Sequence, residues 1–266
     1  MQMRDDLGIT TKLENGKAYL EFALPEKIGR LLSALQIEIW EGAEGERLVF
    51  HGEYSSEEAD SMTALLLRPH LWDGMRDPYV YLVKAQGRFR SVEYGEKMGG
   101  MEKEEKLDSA EDITGEVEMY WRQELTIYDV RVVEKKGILL NEKEFLPHEV
   151  VYRLPPQISD AGMRVEQVRR DLERLARMGV NVIRLEGTGT GAEGVNCSEV
   201  RTFYSLCRKR GFLTGDLWIR PENLPVYRGL SGETAEDGLL SANGRTLTER
   251  YYYYQAKWSS EPVLYP

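Results

Sequence analysis

Apolar and polar side chains alternate from Ala18 to Leu24 (Ala-Tyr-Leu-Glu-Phe-Ala-Leu) and again from Leu35 to Trp40 (Leu-Gln-Ile-Glu-Ile-Trp). A period of two marks a half-buried strand, because successive side chains leave opposite faces. Asn15-Gly16, just before the first run, is a hairpin-turn pair. Tyr79 to Val83 gives a third strand pattern and Arg88 to Tyr94 a fourth; strands this short and closely spaced predict a small β-sandwich. Gly95 to Glu118 breaks the alternation. It holds Gly99-Gly100 and Glu102-Lys103-Glu104-Glu105-Lys106 with little that is apolar, which predicts a solvated, charged insertion loop. Strand patterns return at Leu125–Val133 and Gly137–Leu140, followed by a turn over Asn141–Glu144, and complete the sandwich.

The period then changes. After Pro155-Pro156, apolar residues recur at helical spacing (Val165, Val168, Leu172, Leu175, Ala176, Met178) up to Gly179, which suits a helix C-cap. A strand follows over residues 181–185, then a glycine-rich loop, a helix over Glu199–Arg210, and a strand over Phe212–Trp218. This βα alternation predicts parallel strands covered by helices. Residues 219–246 read as loop, and Leu247–Trp258 as a last helix carrying Tyr251 to Tyr254. The fold class expected is α+β with two domains: a β-sandwich over residues 1–154 and an α/β domain over 155–266. Two clear βα units before Pro266 fall short of the eight that fill about 250 residues of a βα-barrel, so an incomplete barrel is expected.

Composition narrows the classes. Charged residues are 30% and hydrophobic ones 41% of 266 residues, as in an ordinary globular protein. The formal charge of −10 opposes nucleic acid or anionic membrane as partner. No run approaches the ~18 apolar residues of a membrane span, and the N-terminus carries no apolar leader, so a cytoplasmic location is expected. Cys197 and Cys207 read as two core thiols rather than a disulfide framework.

Four features bear on chemistry. Residues 187–194 (Gly-Thr-Gly-Thr-Gly-Ala-Glu-Gly) lie between a strand and a helix, where backbone N–H groups can cradle a phosphate. The run has no Walker lysine and does not follow the first strand of its domain, so it reads as a loop, with nucleotide binding as the alternative. Glu186 and Asp216 fall at the C-terminal ends of neighbouring parallel strands, the functional edge of such sheets. Two readings stand open: the pair shares general acid/base work, or one carboxylate caps a helix while the other holds Arg184. His51, His70 and His148 show no ligand spacing, no Gly-x-Ser-x-Gly elbow is present, and neither metal nor cofactor is expected.

Several segments together resemble glycoside hydrolase family 2, the β-galactosidase and β-glucuronidase family. Residues 71–81 (Leu-Trp-Asp-Gly-Met-Arg-Asp-Pro-Tyr-Val-Tyr) are similar to a segment near the end of that family's immunoglobulin-like domain. Residues 137–143 (Gly-Ile-Leu-Leu-Asn-Glu-Lys) resemble the hairpin leading into its barrel, usually G-F-x-L-N-G-K. Asp171-Leu172-Glu173 through Gly179 to Leu185 looks like its first helix and next strand, and Phe203–Cys207 with Gly211–Leu213 like the following pair. Residues 251–259 resemble a segment after its last barrel strand. The resemblance implies an immunoglobulin-like sandwich followed by a βα-barrel-like domain.

Departures from the family pattern bear on activity. The family's Ser-His-Tyr-Pro after the 181–185 strand is Glu186-Gly187-Thr188-Gly189 here, and its Trp-Asp-Glu is Gly215-Asp216-Leu217. Its barrel-entry Gly-Val-x-x-His is replaced by residues 149–153 (Glu-Val-Val-Tyr-Arg), and its two catalytic glutamates have no counterpart. The resemblance therefore implies a catalytically incomplete homologue acting in carbohydrate binding or assembly, with Arg184 as a candidate sugar contact. The alternative is a glycosidase with a relocated site using Glu186, Asp216 or Glu222. Carbohydrate, a second copy or a full-length homologue are the partners expected. Tyr251–Tyr254 and Val263-Leu264-Tyr265 would supply a homodimer interface, unless the 247–258 helix covers the sheet internally.

Overall fold

The computed structural model describes residues 7–92, 113–134, 136–154, 161–186, 197–215, 224–228, 238–241 and 246–260. The chain divides into two compact units: Met1–His70 with Val80–Ile127, and Leu71–Tyr79 with Tyr128–Pro266.

The first unit is built from strands β1 (Gly8–Glu14) and β2 (Lys17–Ala23), a short helix α1 (Glu26–Gly29), then β3 (Leu32–Glu41), β4 (Arg47–Ser55), β5 (Thr63–Leu67), β6 (Tyr81–Val92) and β7 (Ile113–Leu125). All pairings are antiparallel, in two sheets of order β1-β2-β5 and β4-β3-β6-β7. The alternation in the sequence becomes burial: Ala18, Leu20 and Phe22 on β2, and Leu35, Ile37 and Ile39 on β3, are all inside. Asn15 (φ 51°) and Gly16 (φ 71°) both turn left-handed between β1 and β2, the backbone a two-residue hairpin loop needs.

Two expectations here are corrected. Residues 81–83 and 88–92 of the two expected runs belong to a single 12-residue strand, β6. Residues 113–118, expected in the charged loop, belong to β7, which pairs Phe89 with Val117 and Arg90 with Glu116. A long neighbour satisfies the backbone of a polar strand as well as that of an apolar one, so composition alone misplaces such a strand. The remainder of that segment lies outside the described residues.

The second unit starts with Leu71–Tyr79 and continues through β8 (Val130–Val133), β9 (Gly137–Leu140) and β10 (Lys143–Phe145), an antiparallel sheet. It then alternates: β11 (Glu149–Arg153), α2 (Ala161–Met178), β12 (Val182–Glu186), α3 (Cys197–Lys209), β13 (Leu213–Thr214), β14 (Val226–Arg228), β15 (Gly238–Leu240) and α4 (Glu249–Trp258). The five strands β11–β15 form one parallel sheet of order β13-β12-β11-β14-β15. Residues 219–246, expected to be loop, thus contain two short strands, and β13 stops at Thr214 rather than Trp218. These strands are only two or three residues long, too short for a periodicity to register. The units also part at Ile127/Tyr128, whereas the sequence placed the domain boundary at 154/155. Leu140, Val130 and Phe145 pack with Trp72, Val182 and Leu213, which ties the β8–β10 sheet to the α/β part.

One face of the parallel sheet is covered by helices. Val150, Tyr152, Ile183 and Leu185 from the strands pack with Val168, Leu172 and Leu175 of α2 and Phe203 and Cys207 of α3. Tyr251 of α4 joins the same core, and α4 packs against α2 and β15, so the last helix supplies an internal cover. Burial pushes the Cys207 thiol well above its ordinary range, which keeps it protonated and inert. Cys197 falls in α3, but its side chain lies outside the described set.

Two glycines cross where α3 hands over to β13. At Gly211 (φ 82°) an added Cβ would lie 2.4 Å from the Gly74 carbonyl and the Met75 nitrogen. Those are backbone atoms and cannot swing away. Gly211→Ala should therefore cost about 3 kcal/mol, the upper end for overpacking. Gly137→Ala, also at positive φ (78°) but with nothing within 4 Å, should cost only about 1 kcal/mol. Denaturant midpoints of the two variants test the contrast, and equal losses would refute it.

Candidate functional site at the ends of the parallel strands

Side chains on β11 and β12 alternate between the helix-covered face and the opposite one. On the opposite face lie Glu149, Val151 and Arg153 of β11 and Val182, Arg184 and Glu186 of β12. The parallel register sets Val151 beside Arg184 and Arg153 beside Glu186. Arg184 Nε donates to Glu149 Oε1 at 2.9 Å; the Glu149 side chain is fully buried, and that of Arg184 is 14% exposed. One step toward the C-terminal ends, Arg153 Nε donates to Glu186 Oε2 in a second ion pair that is more open to solvent. The face thus carries acid and base in alternation along neighbouring strands. A buried carboxylate such as Glu149 needs this partner, since an uncompensated buried charge is costly.

Among the described residues, the carboxylate that holds Arg184 is Glu149. The sequence pointed to Glu186 or Asp216 because they follow Arg184 at strand ends; the neighbouring strand supplies Glu149. Glu186 is engaged by Arg153 instead. Asp216, Glu222 and the 187–194 glycine loop lie outside the described residues. Glu149 and Arg153 were visible in the sequence only as replacements in the barrel-entry motif. Once 149–153 is recognised as a strand parallel to 182–186, its Glu-x-x-x-Arg spacing places both charges on one face, a signal that was available.

The strand order reverses between β11 and β14. In open α/β sheets that switch point, outside the strand C-termini, is where a ligand crevice forms. Arg153 ends β11 there. No pairing joins β13 to β15 among the described residues.

On the helix-covered face sits a second polar group, fully inside. Asp171 of α2 is 0% exposed and accepts hydrogen bonds from Tyr152 (2.9 Å), Tyr227 (3.0 Å) and Gln167 (2.9 Å), with Arg174 at 3.7 Å. Tyr152 stacks on Phe203 and Tyr227. Burial, then the nearby Asp171 charge, push the Tyr227 hydroxyl far above its ordinary value. Burial likewise pushes Tyr251 up to about 12, and its hydroxyl donates to the Arg174 carbonyl at 2.7 Å. These groups fasten helices to the sheet. Among the described residues no cluster of His, Cys, Asp and Glu could hold a metal, and no helix is long and apolar enough to cross a membrane.

No protein-family model matches the chain, and no curated protein is similar to it. Solved structures are similar in fold. A β-glucuronidase from Parabacteroides merdae, with glycerol in its active site, superposes with a TM-score of 0.51 at 15% identity, over 79% of this chain and 23% of that one. A β-glucuronidase from Ruminococcus gnavus, in complex with uronic deoxynojirimycin, gives 0.50 at 18% identity, over 79% of this chain and 29% of its own. The chain spans roughly a quarter of the length of these enzymes. The likeness shows a fold like that found in glycoside hydrolases of family 2, β-rich with a parallel sheet.

Proposed function

We propose that this chain is a non-catalytic relative of the family 2 glycoside hydrolases. In this reading an immunoglobulin-like sandwich precedes a partial βα-barrel-like domain, and the protein binds carbohydrate without cleaving it. The observation that carries the reading is the alternation of Glu149, Arg184, Arg153 and Glu186 on the face of the parallel sheet opposite the helices. Retaining hydrolysis needs two carboxylates about 5–5.5 Å apart across the scissile bond. Here each of these carboxylates meets a guanidinium instead. The sequence supports the same conclusion, because the family's histidine and both catalytic glutamates lack counterparts.

The R. gnavus enzyme holds uronic deoxynojirimycin, which makes a sugar acid the first probe for this chain. A guanidinium at the strand ends suits a carboxylate ligand. A panel of aryl glycosides, the β-glucuronide included, should show no turnover. Glucuronic acid should bind weakly, and Arg153→Ala at the end of β11 should weaken it by about tenfold, the loss of one charge-assisted contact. Turnover that disappears in Glu186→Gln or Asp216→Asn would overturn the reading in favour of a relocated active site.

A further inference from the structure

A separate feature of the first unit stands independently of that reading. The outward face of the β4-β3-β6-β7 sheet is crossed by two rows of side chains set by the strand register. One row runs Glu53, Gln36, Gln86, Tyr120 and the next Ser55, Ala34, Arg88, Glu118. Ala34 is the smallest member and sits between Ser55 and Arg88, so the second row has a notch. The turn at Ser56–Glu58 rises beside it, held by Ser55 N–H and Oγ donating to Glu58 Oε2 at 3.0 and 2.9 Å. The result is a cleft of about 610 Å³ whose walls include Gln36, Glu53, Glu58, Gln86, Arg88 and Glu118, with Tyr120 beyond its edge. That volume lies within the range of about 300–1,000 Å³ typical of ligand sites.

We infer that this cleft binds a neutral, extended oligosaccharide. The chemistry of its walls supports this. Glu53, Glu58 and Glu118 accept hydrogen bonds, Arg88 donates, and Gln36 and Gln86 do both, which is what a ligand of many hydroxyl groups requires. Gln86 Nε2 donates to the Tyr120 hydroxyl at 3.1 Å, and that hydroxyl donates to Glu118 at 2.5 Å. This chain orients the amide while leaving the Tyr120 side chain 67% exposed at the end of its row, available to a sugar face. Three carboxylates against one guanidinium oppose phosphate, nucleic acid and sugar acids. The scarcity of apolar side chains on the walls opposes a lipid or a hydrophobic peptide. Polar positions repeat at the strand spacing of about 4.8 Å, close to the advance of one unit along an extended β-1,4-linked chain.

Titration of the full chain with cellohexaose tests the inference, with maltohexaose as a curved comparison and oligolysine as a cationic peptide. Cellohexaose should bind and maltohexaose should bind more weakly. Gln86→Ala and Glu53→Ala, both at exposed positions that leave the core intact, should each weaken cellohexaose about tenfold. Hydrogen exchange should slow at residues 33–36, 53–58 and 86–88. No cellohexaose binding, unchanged affinity in both variants, protection falling in residues 149–186, or preferential capture of oligolysine would each overturn it. Glucuronic acid binding is measured separately, so either proposal can fail without the other.

Discussion

Asp171→Ala is expected to destabilise the second unit by about 3–5 kcal/mol, the cost of breaking a buried charged network. The carboxylate accepts from two tyrosine hydroxyls and an amide and faces Arg174, all around a side chain with no solvent access. Alanine would leave the Tyr152 and Tyr227 hydroxyls without this acceptor, and each buried orphan costs about 1–3 kcal/mol. The decisive comparison is Asp171→Leu combined with Tyr152→Phe and Tyr227→Phe. Removing both hydroxyl donors together with the acceptor should recover much of the loss, because only the Gln167 amide and Arg174, both partly open to solvent, then lose a partner. Urea denaturation followed by hydrogen exchange along α2 reads the outcome. A triple variant no better than Asp171→Ala alone would show that shape, and not hydrogen-bond satisfaction, sets the cost.

Trp72→Ala should cost a similar ~3–5 kcal/mol, as emptying a large buried aromatic site does. Trp72 is 1% exposed, packs with Leu140, Val182 and Leu213, and lies tilted against Tyr128 at 5.2 Å. Its indole Nε1 donates to the Arg208 carbonyl at 3.0 Å, and its own carbonyl accepts from Asn141 at 2.9 Å. Trp72→Phe keeps much of the ring contact but loses the indole bond, so it should cost about 1 kcal/mol beyond the packing change. Equal losses for alanine and phenylalanine in denaturant titration would place the energy in the hydrogen bond instead.

What could be read from the sequence follows from the range of the forces involved. The strands at 17–23 and 32–41 and the helix at 161–178 declare themselves by local periodicity, and the Asn15-Gly16 turn by local backbone chemistry. Trp72, although it lies between strands of the first unit in sequence, belongs with the second. The strands at 226–228 and 238–240 were not legible, because sheet neighbours define them and their own residues do not. The same holds for the candidate site. Arg184 could be singled out as a charge ending an apolar strand, but its partner Glu149 comes from a strand 35 residues earlier. Such a pairing needs the register, which no single segment encodes. Asp171 was visible only within a family-like motif; its task of gathering two tyrosines depends on Tyr227, 56 residues later.

The bond from Trp72 to Arg208 also sets a timetable for the nascent chain. The two residues are 136 positions apart, and Leu71–Tyr79 interrupts the stretch that builds the first unit. A ribosome adds about 5–20 residues per second, so Trp72 is made roughly 7–27 seconds before its acceptor. Throughout that interval a large indole has no permanent niche, even while the strands on either side of it pair. Pairing of those strands can therefore precede the seating of the indole, which waits for the Arg208 carbonyl at the end of α3.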